Sequence, residues 1–110
     1  MLISNPPEFR EKLRQSINKL IKDEKISINL EKAIFNYTIQ ESKQKKIVRK
    51  WDNKYFVQIY TNRFRSIYNN INPKVTTYNK TLLRNLKKKK LKPQKLAFMT
   101  HQEMNPKIWK

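Results

Sequence analysis

The chain has no glycine and no cysteine in 110 residues. Without glycine, turns fall to Asn, Pro, Asp and Lys, and tight β-hairpins that need positive φ are disfavoured. A glycine-rich phosphate loop is excluded for the same reason. Without cysteine there is no disulfide, no thiolate metal site and no zinc ribbon within this chain. Acids are scarce, 8 against 26 Lys and Arg. The one histidine, His101, has no companion set of metal ligands, and no Ser-His-Asp arrangement is evident. No apolar run approaches the ~20 residues of a membrane span. The opening Met1-Leu2-Ile3-Ser4 is too short for a signal-peptide core. The expectation is a soluble, intracellular, non-enzymatic chain that holds no cofactor of its own.

What the chain does have is positive charge, formally +18. Such a balance implies an acidic partner surface, either nucleic acid or an acidic protein. Lys, Asn and Ile share A/T-rich codons, so the charge speaks to the sign of the partner more than to its kind. The length allows one small domain that folds around a modest core without staples.

Helical periodicity carries the rest. Asn5 followed by Pro6 and Glu8 reads as a helix start, and Phe9, Leu13, Ile17 and Leu20 mark its buried face. Arg10, Glu11, Lys12, Arg14 and Lys19 lie off that face, and residues 22–25 end the helix in a polar run. A second helix is expected from near Ser27, with Leu30, Ala33, Ile34 and Tyr37 inward. Residues 40–46 read as a mobile basic loop. The third and longest helix is expected over residues 52–70, where Phe56, Tyr60, Phe64, Ile67 and Ile71 form one stripe. Arg65 points away from that stripe and Arg63 lies at its rim, so neither is needed for the core. Asn72-Pro73 breaks the helix. A short helix over residues 80–90 carries Leu82, Leu83 and Leu86 and ends in Lys87, Lys88, Lys89 and Lys90, where cations complement its dipole. The fold class is all-α: a three-helix bundle with short additional C-terminal helices.

Residues 91–104 contain two helix starts. Pro93 suits a first helical position. Thr100 and Glu103 have the spacing of a capping box, in which each side chain satisfies the other's backbone N–H. Asn105-Pro106 looks like the start of one more helix.

This stretch resembles the corner that ends the central domain of transcription elongation factor S-II (TFIIS). Leu91, Pro93, Leu96, Ala97, Met99, Thr100, Glu103 and Met104 match its pattern without a gap. Asn79, Leu82, Arg84, Asn85 and Leu86 continue the register upstream. Tyr60-Thr61-Asn62-Arg63-Phe64-Arg65-Ser66 is similar to the family's Tyr-Lys-x-Arg-x-Arg-Ser run, and residues 28–35 resemble its second helix. The departures are Thr61 for the family's Lys, Lys89 for a Gly, Lys80 for a Pro, and a loop at residues 74–78 about three residues longer. If Lys89 keeps the glycine's left-handed backbone, the strain is of order 1 kcal/mol; otherwise the short helix runs on through Lys90.

The resemblance implies a domain that docks on a multi-subunit DNA-dependent RNA polymerase, as part of a factor that rescues arrested polymerase by transcript cleavage. It implies polymerase contacts at Arg63, Arg65 and Ser66, with Lys87, Lys88, Lys89 and Lys90 as a secondary basic patch. The boundaries expected are a lead over residues 1–7, the helical domain over 8–104, and the start of a linker over 105–110. In that family an Asp-Glu pair on a zinc ribbon enters the polymerase active site. Asp23-Glu24 lies on a helix end here and reads as a solvated turn, and zinc is expected only if a ribbon follows. A compact, viral-type member lacking the N-terminal domain fits, as a monomer placed in the nucleus, or in the viral factory or virion. The alternative is a basic helical nucleic-acid-binding module, with Trp51 and Tyr68 as its exposed aromatics.

Overall fold

The computed structural model describes residues 5–75 and 78–104. Six helices and no strand occur among them. Helix α1 spans Pro6–Ile21, α2 Glu24–Gln44, α3 Lys54–Ile71, α4 Lys80–Lys87, α5 Pro93–Ala97 and α6 His101–Met104. α2 is central: α1, α3 and α5 all pack on it, while α3 also touches α4, α5 and α6.

The helix starts follow from short polar side chains placed where the first N–H groups lack partners. Asn5 accepts from the Glu8 N–H at 3.2 Å, and Asp23 accepts from the Ile26 N–H at 3.1 Å. Asn53 accepts from Tyr55 and Phe56, and Asn79 accepts from Thr81. Asp23 is therefore the cap of α2, and α2 begins at Glu24 rather than near Ser27. The start of α1 at Pro6, capped by Asn5, is the one the sequence marked.

The expected mobile loop at residues 40–46 is instead helix up to Gln44. The reason is a stripe that continues in polar residues: Leu30, Ile34, Thr38 and Ser42, four apart, are all fully buried. The apolar stripe read from sequence stops at Tyr37, but the packed face does not. The Thr38 hydroxyl donates to the Ile34 carbonyl at 2.9 Å, which removes its burial cost. The third helix starts later than expected, because Asn53 caps it and Trp51 and Asp52 remain in the preceding turn. Phe56, Tyr60, Ile67 and Ile71 are buried as the stripe requires; Phe64 is only half-buried, stacked on Tyr68 at 5.5 Å. Trp51 is likewise engaged, within 5.0–6.1 Å of the Phe9, Phe35, Phe56 and Tyr60 rings. Neither Trp51 nor Tyr68 is a free aromatic.

The short C-terminal helices close the core from one end. Leu82, Leu83, Leu86, Leu96, Ala97 and Met104 are buried against the three long helices. Each fully buried Leu or Ile stabilises the fold by about 1.5–3 kcal/mol. Asn79 ties three elements together: its N–H donates to Asn70 O at 2.7 Å, and its side-chain amide donates to Met104 O at 2.7 Å. α4 ends at Lys87, and Lys89 takes the left-handed conformation with φ 62°. The Lys90 N–H then bonds back to Asn85 O at 2.9 Å, which closes a Schellman turn without glycine. The helix start read at Asn105-Pro106 lies outside the described residues.

Candidate polymerase-docking face

Arg63 and Arg65 are two residues apart on α3, about 200° around the helix. They cannot present one patch, and they do not. Arg63 turns inward to the corner: its Nη1 donates to Met99 O at 2.7 Å and its Nη2 to the Tyr37 hydroxyl at 2.8 Å. The guanidinium lies 4.0 Å from the centre of the Tyr37 ring, whose edge meets Phe98. Arg63 thus joins α2, α3 and the turn after α5. The expectation that packing does not need it is overturned, because the rim of the α3 stripe is where the corner docks.

Ser66 lies on the same side as Arg63. Its hydroxyl shares a hydrogen bond of 3.0 Å with Nδ1 of His101. Tyr37, Arg63, Ser66 and His101 line a small polar recess of ≈180 Å³ between α2, α3 and α6. The capping box forms as expected: Thr100 N–H donates to Glu103 at 3.0 Å, and Glu103 N–H to the Thr100 hydroxyl at 3.1 Å. The backbone donation from Thr100, then its hydroxyl, holds the Glu103 carboxyl below the ordinary carboxylate value.

Arg65 is exposed on the opposite face and has no hydrogen-bond or ion-pair partner among the described residues. It lines a shallow groove of ≈450 Å³ with Lys54, Tyr55, Val57, Gln58 and Thr61. No acid lines this groove, so its charge is available to a partner. A guanidinium with free donors suits planar, bidentate pairing with a carboxylate. Lys87, Lys88, Lys89 and Lys90 are all exposed. Among the described residues no group of His, Cys, Asp or Glu could hold a metal ion, and no helix is long and apolar enough to cross a membrane.

Sequence reasoning missed one buried polar cluster. Glu31, fully buried on α2, accepts from Arg10 Nε at 2.7 Å, Arg10 Nη2 at 3.0 Å and Arg14 Nη1 at 3.1 Å. It also accepts from the Tyr60 hydroxyl at 2.7 Å. Burial first, and then the Glu31 charge, push the Tyr60 phenol well above its ordinary pKa and keep it neutral. Arg10 and Arg14 therefore lie toward α2, not away from the packed face. The available signal was an Arg pair at i, i+4 on α1, facing an acid that falls on the inward side of α2.

The family model for the central domain of transcription factor S-II (TFIIS) matches residues 5–110. No curated protein and no solved structure matches the chain.

Proposed function

The chain belongs to the transcription factor S-II (TFIIS) central-domain family, and from that membership we propose that it docks on a multi-subunit DNA-dependent RNA polymerase. A role in transcription elongation follows from the family; the docking, and the rescue of arrested polymerase by transcript cleavage, are the parts proposed. The observation that carries the docking is Arg65, exposed and unpartnered on a groove without acids. Arg65 makes the primary contact with polymerase carboxylates. Arg63 and Ser66 form the other flank of the same helix, where Arg63 also fixes the corner. Lys87, Lys88, Lys89 and Lys90 act at longer range, through association rate.

The chain is proposed to be non-enzymatic and free of cofactors. Its Asp23-Glu24 pair caps and opens α2 and is not presented on a ribbon tip. It acts as a monomer, in the nucleus or in a viral factory or virion. Both the docking reading and the nucleic-acid reading are electrostatic, so salt does not separate them. Competition does: in a pull-down of polymerase on immobilised chain, excess duplex DNA leaves binding intact if the contact is to protein carboxylates. Loss of polymerase at DNA concentrations that saturate any basic patch would move the nucleic-acid reading ahead.

A further inference from the structure

The turn that leaves α2 carries a dense basic surface. Lys43, Lys46, Arg49 and Lys50 are exposed and line one concavity of ≈400 Å³ together with Ile47 and Val48. No acid lines it. The bland account is that these cations neutralise the C-terminal end of α2. A helix C-terminus carries only about half a negative charge, so four cations leave most of their charge unmatched.

Val48 and Tyr55 are the large hydrophobics that stand exposed among the described residues, at 56% and 54%. Val48 lies in the concavity, and Tyr55 lies five residues past Lys50, on the first turn of α3. The Lys54 ammonium sits 5.2 Å from the Tyr55 ring. The segment between them is held in place. The Ile47 N–H bonds to Ser42 O at 2.8 Å, and the Asn53 N–H bonds to Lys50 O at 3.1 Å. Trp51, caged by four rings, pins the turn to the core. The cations are therefore pre-positioned rather than carried on a free coil.

We propose that this turn binds single-stranded nucleic acid, with phosphates along Lys43, Lys46, Arg49 and Lys50 and a base stacked on Tyr55. Cations that follow a strand, next to an exposed aromatic face, are the elements of sequence-tolerant single-strand binding. A duplex hides its base faces and gains only the phosphate contacts. An acidic peptide would satisfy the cations and would not need the ring to be aromatic. Tyr55 also lines the Arg65 groove, so the two sites adjoin, but the four cations of this turn lie outside that groove and the proposal does not depend on the polymerase reading.

The test is fluorescence anisotropy of a labelled oligo-uridine, repeated with oligo-thymidine and with a duplex. Lys43→Gln/Lys46→Asn/Arg49→Gln/Lys50→Gln should weaken oligo-uridine binding at least about tenfold. Lys87→Gln/Lys88→Gln/Lys90→Gln/Lys92→Gln removes the same charge elsewhere and should weaken it less than about threefold. Tyr55→Leu should weaken it at least about fivefold, while Tyr55→Phe retains it. The quadruple turn variant keeps failure here distinct from failure of the docking face, because its four cations lie outside the groove that Arg65 shares with Tyr55. Equal thermal midpoints would show that each variant is folded. Equal losses in the two quadruple variants, duplex binding as tight as single-strand binding, or indifference to Tyr55→Leu would each overturn the proposal. Similar affinity for oligo-uridine and oligo-thymidine fits stacking and phosphate contact; a strict RNA preference would contradict it.

Discussion

Three lysines, Lys22, Lys46 and Lys89, hold φ values of 59°, 58° and 62°. Each sits at the C-terminal end of a helix, where a glycine chain would place Gly. A side chain in this region costs about 1–2 kcal/mol, partly offset by the cation's attraction to the helix end. Lys89→Gly should therefore raise stability by about 0.5–1 kcal/mol, measured as a shift in the urea midpoint at constant slope. The buried carboxylate of Glu31 makes the opposite case. Glu31→Ala leaves the Tyr60 hydroxyl buried without its acceptor and removes the ion pairs of Arg10 and Arg14 that tie α1 to α2. It should cost about 3–5 kcal/mol. Arg10→Ala should cost clearly less in the same denaturation series, because Arg14 and Tyr60 still satisfy the carboxylate. The Glu31 cluster was hard to read from sequence because a lone Glu in a helix is usually solvated, and only tertiary packing shows which three side chains converge on it.

The helices themselves were largely legible. Stripes at spacings of three and four marked α1, α2 and α3, and Thr100-x-x-Glu103 marked the corner to the residue. What was not legible lay where polar residues did the packing. Thr38 and Ser42 extended α2 through a stretch that hydropathy assigned to a loop. Arg63 shows the same effect at the candidate site. Its neighbours Tyr37 and Met99 come from distant segments, so a helical wheel of α3 alone put it at the rim. At the corner, Thr100→Ala should lower stability by about 0.5–2 kcal/mol. The capping box should also show in the pH dependence. The folded Glu103 carboxyl lies below its ordinary value of 4.5. Its contribution is present above that value and is lost as pH falls through the lower folded one. Glu103→Gln should therefore flatten the acid limb of the stability curve, read from thermal midpoints between neutral and acid pH.

At the scale of the whole molecule, a formal charge of +18 would speed encounter with any acidic surface, so charge alone does not define a partner. The family narrows the partner, and the orientation of α3 narrows the surface. Arg63 faces the corner and Arg65 faces solvent beside a groove without acids. The two arginines should then separate in experiment. Arg63→Ala should lower the thermal midpoint, since it removes two hydrogen bonds and the contact with Tyr37. Arg65→Ala should leave the midpoint nearly unchanged. The most direct measurement is a titration of RNA polymerase, at fixed salt, with the parent chain and with Arg65→Ala. Truncating one member of a buried interfacial charge pair costs about 2–5 kcal/mol, so the variant should bind at least about tenfold more weakly while remaining folded. Binding of Arg65→Ala at parental affinity would contradict the docking face.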